Sequence, residues 1–220
     1  MSEVTVPVEP PGFSLFVPEG FITLPAGEID NGKFRSLAAG VSAGFGLDPD
    51  AEIDQGLAET TVTLATTVAA AWAGGSSYTA AGFFRSPDDV NRPIMALVNC
   101  FCLESDHTST DVAIAGLEEV HRSVANGPVE VMELPVGPAV VAQSITPGRI
   151  LIGEDAVEIT EHAITAWIPG TKVVLGLAVT SNNTEDWAHV IDLASGIFTT
   201  FEWADATADG EQGIAVDRQV

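Results

Sequence analysis

Apolar positions along the chain fall into two rhythms. Runs from Phe13 to Val17, Tyr78 to Arg85, Ile94 to Leu103, Val129 to Leu134, Ala139 to Ile145, Ala163 to Ile168 and Val173 to Thr180 read as strands, and Phe21 to Leu24 as a shorter extended piece. Elsewhere the spacing is helical. Phe34, Leu37, Ala38, Val41 and Phe45 form one such face, and Ile53, Leu57, Thr61, Leu64, Val68 and Trp72 a longer one. Ala113, Leu117, Val120 and Val124 give a third, and Trp187, Val190, Ile191, Ala194, Ile197, Phe198 and Phe201 a fourth.

Punctuation supports these elements. Pro18-Glu19-Gly20 ends the first strand, and glycines 40, 44 and 46 weaken and stop the first helix. Asp48-Pro49-Asp50 predicts the start of the longest helix and Gly74-Gly75 its end. Thr110-Asp111 opens the third helix, Asn126-Gly127-Pro128 closes it, and Asn183-Thr184-Glu185-Asp186 reads as the cap of the fourth. Pro135 to Pro138, Gly148 to His162 and Gly170 separate the later strands; within the second separator, Ile150 to Val157 stays open between strand and loop. Strands joined by short turns predict antiparallel pairing, and the helices never alternate regularly with them. The expected fold is therefore α+β, an antiparallel β-sheet flanked by α-helices, and not a doubly wound parallel sheet. The expected layout is a loose segment 1–12, one domain over 13–203, and a disordered acidic tail over 204–220 with almost no large apolar residues.

A single body of 220 residues buries roughly 70% of its unfolded surface, so it needs no metal or disulfide to hold together. The most apolar stretches, Pro93 to Leu103 and Lys172 to Thr180, are about half the length of a membrane-spanning helix. The opening Met1-Ser2-Glu3-Val4-Thr5 lacks the basic region and apolar core of a signal peptide, which makes a cytoplasmic location the expectation. The largest departure from the ordinary is charge: 31 acidic against 8 basic residues, a net −23. Such a chain repels phosphate backbones and anionic lipid, which argues against nucleic acid and membrane partners. It suits either solubility alone or electrostatic steering towards a basic protein partner.

Candidate chemistry is sparse. Gly40-Val41-Ser42-Ala43-Gly44-Phe45-Gly46 has the glycines of a phosphate loop, yet no Gly-Lys-Ser/Thr follows and Asp48 and Asp50 would meet the phosphate. Cys100 and Cys102 share one face of a strand but lack two further ligands for a metal, so buried thiols are expected. His107, His121, His162 and His189 are scattered, and Glu118, Glu119 and His121 lack metalloprotease spacing. Glu161-His162 could pair with a distant serine, but no nucleophile elbow supplies one, and Gly75-Ser76-Ser77 reads as a helix terminator. Trp72, Trp167, Trp187 and Trp203 are candidates for an interface; Trp72 and Trp187 fall on apolar helix faces and are expected in the core. No catalytic, cofactor-binding or metal residue is assigned.

Val131-Met132-Glu133-Leu134-Pro135-Val136-Gly137-Pro138-Ala139-Val140 resembles the strand–turn–strand ELPAGPAVR segment of a family of uncharacterised actinobacterial proteins. Ala166-Trp167-Ile168-Pro169-Gly170, the apolar run Val173 to Thr180, Phe201-Glu202-Trp203 and Phe21-Ile22-Thr23-Leu24-Pro25 resemble further segments, the likeness being strongest over 129–203. Val141 departs from it, standing where relatives often carry Arg. That family is similar in layout to the PsbP-like superfamily, an antiparallel sheet flanked by helices. Its known members are mostly assembly and binding proteins, among them a photosystem subunit and a Ran-binding import factor. The resemblance implies binding without catalysis and carries over no functional residue.

The leading expectation is accordingly a non-catalytic protein-interaction or accessory module, such as an adaptor in a secretion system or another larger assembly. Two alternatives stay open: an immunity or inhibitor protein against a basic toxin, and a small-molecule binder or enzyme with an unrecognised pocket.

Overall fold

The computed structural model describes residues 12–27, 29–48, 53–124, 126–152, 155–204 and 215–216. Two short strands, β1 (Phe13–Leu15) and β2 (Phe21–Thr23), precede the helices α1 (Asn31–Gly44) and α2 (Gln55–Ala73). The hairpin β3 (Ser76–Arg85) and β4 (Pro93–Glu104) leads into α3 (Thr110–Val124). A meander follows: β5 (Val129–Leu134), β6 (Gly137–Ile152), β7 (Asp155–Pro169) and β8 (Val173–Ser181). Helix α4 (Trp187–Phe198) and the short strands β9 (Glu202–Trp203) and β10 (Ala215–Val216) complete the described chain.

Seven strands form one sheet in the order β2-β3-β4-β8-β7-β6-β5, and every pairing in it is antiparallel. Strands β10, β1 and β9 make a small separate sheet in which β1 and β10 run parallel. The fold is α+β, with helices on both faces of the large sheet. Alternation along the strands sorts the side chains. Tyr78, Ala80, Ala96, Val98, Cys100, Ala139, Val141, Ile164, Ala166, Leu175 and Leu177 point to one face. There they pack beneath Val190, Ala194, Ile197 and Phe198 of α4 and Phe13, Leu15 and Phe201 around the small sheet. On the other face Ala81, Phe83 and Leu97 meet Leu37 and Val41 of α1 and Leu64 and Val68 of α2. The α3 helix covers the β5–β7 half of that second face.

Helix starts follow from capping, though not always where the sequence suggests. Asp30 accepts from the Lys33 amide and Asp54 from the Leu57 amide, so α2 begins at Gln55. The expected start at Asp48-Pro49-Asp50 falls partly outside the described residues, and the capping role belongs to Asp54. Nor does Asp186 cap α4 with its side chain. The glycines of α1 are packing positions: a Cβ at Gly44 would stand 2.6 Å from the Phe83 ring, and one at Gly40 2.9 Å from Ile22. They bring the helix down onto β3 and β2 instead of merely loosening it.

The separator Gly148 to His162 also turns out differently. Strands β6 and β7 stay in register out to the Ile152–Asp155 pair, well past the ends of their neighbours β5 and β8. The result is a two-stranded ribbon reaching beyond the sheet. Asn126 closes its root, accepting from the Ile145 amide and donating to the Ile145 carbonyl. Because the outward-facing residues of β6 alternate, Pro147 faces the same open edge as Ile145 and its missing N–H breaks no ladder bond. Of the expected terminal tail, Ala204 and the backbone at 215–216 are described and the rest lies outside the described residues, as do residues 1–11 of the expected loose opening.

Candidate functional site

The densest polar constellation gathers where the β3–β4 loop meets the start of α4. The Asp186 carboxylate has no exposed surface, and Arg92 grips it with Nε at 2.7 Å and Nη2 at 2.9 Å. The Ser86 hydroxyl donates to the same carboxylate at 2.5 Å. Ser86 Oγ in turn accepts from Arg92 Nη2 and from the Asp88 and Asp89 amides. Around this centre Glu185 takes Arg92 Nη1 at 2.7 Å, and His189 Nε2 stands 3.1 Å from Asp88.

Serine, histidine and aspartate lie together here, but not in the order that nucleophilic catalysis requires. Ser86 donates directly to a carboxylate and its lone pairs are taken by three donors, while His189 bonds a different acid. The Arg92 and Ser86 bonds also depress Asp186 to about 2, which leaves it a poor base at neutral pH. Asp88, Asp186 and His189 could bring ligand atoms within 4.8 Å of one another, as a metal would need. Arg92 already fills the cation position, with both Asp186 oxygens engaged, so the donor set does not fit a metal ion. This is a charged clasp tying a loop to a helix start across 94 residues of sequence. No local motif could have shown it, because its members come together only through the β4–β8 pairing.

The residues singled out from sequence are likewise held in structural roles. His162 and Ser181 stand opposite each other on β7 and β8, yet the Ser181 hydroxyl donates to the Met95 carbonyl. The buried His162 ring lies 5.1 Å from Trp187, with Nε2 3.3 Å from Thr184. Its neighbour Glu161 points to the opposite face, so the two make no acid–base pair. His107 bridges Ser105 and the Gly170 carbonyl, both at 2.8 Å. His121 stacks on Trp167 at 4.6 Å, and burial lowers its pKa. Cys100 is fully buried and Cys102 half-buried, and desolvation raises both thiols, which disfavours the nucleophilic thiolate. Ser76 lies buried at a bulge, bonded to the Cys100 carbonyl, and Gly75 turns the chain with a φ of +90°. Trp72, Trp187 and Trp203 pack against the two cores.

What the sequence missed is on α3. Its expected inner face includes Val120 and Val124, yet these are 58% and 72% exposed, and Val112 is 54% exposed. Ala113 and Leu117 of the expected face do lean on the sheet, and His121 joins them in place of the two valines. Val131 on β5 is also exposed, at 44%. Among the described residues, this edge carries the clearest run of apolar side chains left in water on regular elements. No helix among the described residues is long and apolar enough to cross a membrane. No protein-family model matches the chain, and no curated protein matches it.

Proposed function

We propose that the chain is a non-catalytic protein-interaction or accessory module, presented on the α3–β5 side of the molecule. The observation that carries this reading is the set Val120, Val124 and Val131, exposed on α3 and the strand beside it in a chain of net charge −23. Exposed aliphatic side chains on a rigid helix and strand, rimmed by carboxylates, suit contact with another protein better than they suit solubility. Among the described residues, the Arg92, Asp186 and Ser86 cluster holds a loop to a helix start and so does not compete with this reading. A role as an adaptor in a larger assembly is the form of this function that the PsbP-like resemblance favours, and the opening Met1-Ser2-Glu3-Val4-Thr5, without a signal-peptide pattern, favours the cytoplasm. The test is capture of partners from native lysate with the tagged full-length protein at low and at high salt. A stoichiometric protein retained at low salt and lost at high salt is the expected result. A clean bait under both conditions contradicts it.

A further inference from the structure

Resting on that interaction reading, we propose that the free edge of β5 receives an extended, basic segment of a partner protein as an eighth strand of the sheet. Strand β5 is the last in the sheet, and β6 is its sole strand neighbour among the described residues. The Gln143 amide donates to the Pro128 carbonyl, which makes that pair a hydrogen-bonded one. Alternation along an antiparallel ladder then turns Glu130, Met132 and Leu134 inward to β6 and leaves the backbone groups of Val129, Val131 and Glu133 facing outward. These three residues form a pairing template along the open edge.

Side chains beside the template say what would pair with it. Val129, Val131 and Glu133 lie on the face that α3 covers. His121 reaches to Trp167 on β7, while Val120 stands about 100° from it and about 20° from the buried Ala113, on the flank of α3 away from β7 and so on the β5 side. A strand added at the edge would therefore meet exposed valines from both β5 and α3. Its charged neighbours on β5 are Glu130 and Glu133, both exposed, and β5 itself holds no cation. Nearby Arg122 is already paired with Glu118 at 2.7 Å. A second copy of this chain would bring the same carboxylates to the seam twice, with no positive charge to meet them. A segment alternating valine-like residues with Lys or Arg would match both the apolar and the acidic positions, and the carboxylates would reject acidic strands.

The experiment uses the full-length protein and a short synthetic peptide of alternating lysine and valine. Two controls accompany it: the same peptide N-methylated at alternate amides, which cannot pair, and a glutamate–valine counterpart. The expected result is binding of the first peptide with slowed amide exchange at Val129, Val131 and Glu133. Affinity should fall at least about tenfold for the N-methylated peptide and for the Val131→Pro variant, which removes an outward N–H from an edge strand. Equal binding of the N-methylated peptide, or protection elsewhere, would mean general attraction to an acidic surface and would overturn the edge assignment. Absence of binding would overturn it too. In either case a partner captured from lysate at low salt, and retained equally by Val131→Pro, would leave the broader interaction reading standing. Should Val131→Pro fail to fold by circular dichroism, the peptide comparison decides alone.

Discussion

A buried carboxylate stabilises a fold only if its neighbours replace the water it loses, and Asp186 has three such bonds from Arg92 and Ser86. Because its folded pKa lies at about 2, below the ordinary 3.8, Asp186 favours the folded state at every pH where it is ionised. That contribution is complete above the ordinary value and is lost as pH falls through about 2. The stability difference between wild type and Asp186→Asn should therefore be constant near neutrality and shrink between about pH 4 and 2. Chemical denaturation at several pH values measures it, and an unchanging difference would count against the clasp. At Gly176 the constraint is space: a Cβ there would lie 2.4 Å from the Phe101 ring, which meets Trp167 edge-on at 5.4 Å. Gly176→Ala should cost about 1–3 kcal/mol by displacing that ring, read from a shifted denaturation midpoint. Neither constraint was legible in the sequence, since each arises between strands that are distant along the chain.

Among the elements, α2 depends on its cap and its buried stripe. Five of its threonines turn their hydroxyls back to the carbonyl four residues earlier, a habit that does little for a helix. Asp54→Ala should accordingly destabilise the protein by about 1 kcal/mol, visible in thermal unfolding. Element types were readable wherever burial imposes one rhythm. Val129 to Leu134 matches β5 at both ends, and the cores of β3, β4 and β8 match their apolar runs. The β6–β7 ribbon was not readable, because its strands pair only with each other past the ends of β5 and β8, and the stretch from Gly148 looked like a separator. On α3 the valines suggested one inner face, but stacking of His121 on Trp167 set the roll of the helix.

The whole molecule carries a charge of −23, which repels itself. Added salt screens that repulsion, so the unfolding temperature should rise between low and moderate ionic strength; a fall would show that attractive pairs such as Arg92 with Glu185 dominate. At this scale the α+β class and the antiparallel sheet followed from strand order and turn spacing. The candidate interface did not, because exposure of Val120, Val124 and Val131 depends on how α3 sits above β5. The most direct test of the account is capture from native lysate by wild type and by folded Val131→Pro, side by side at low salt. The account predicts a stoichiometric protein with wild type that is absent with the proline variant and released from wild type by salt. A clean wild-type bait, or equal capture by both proteins, would contradict it.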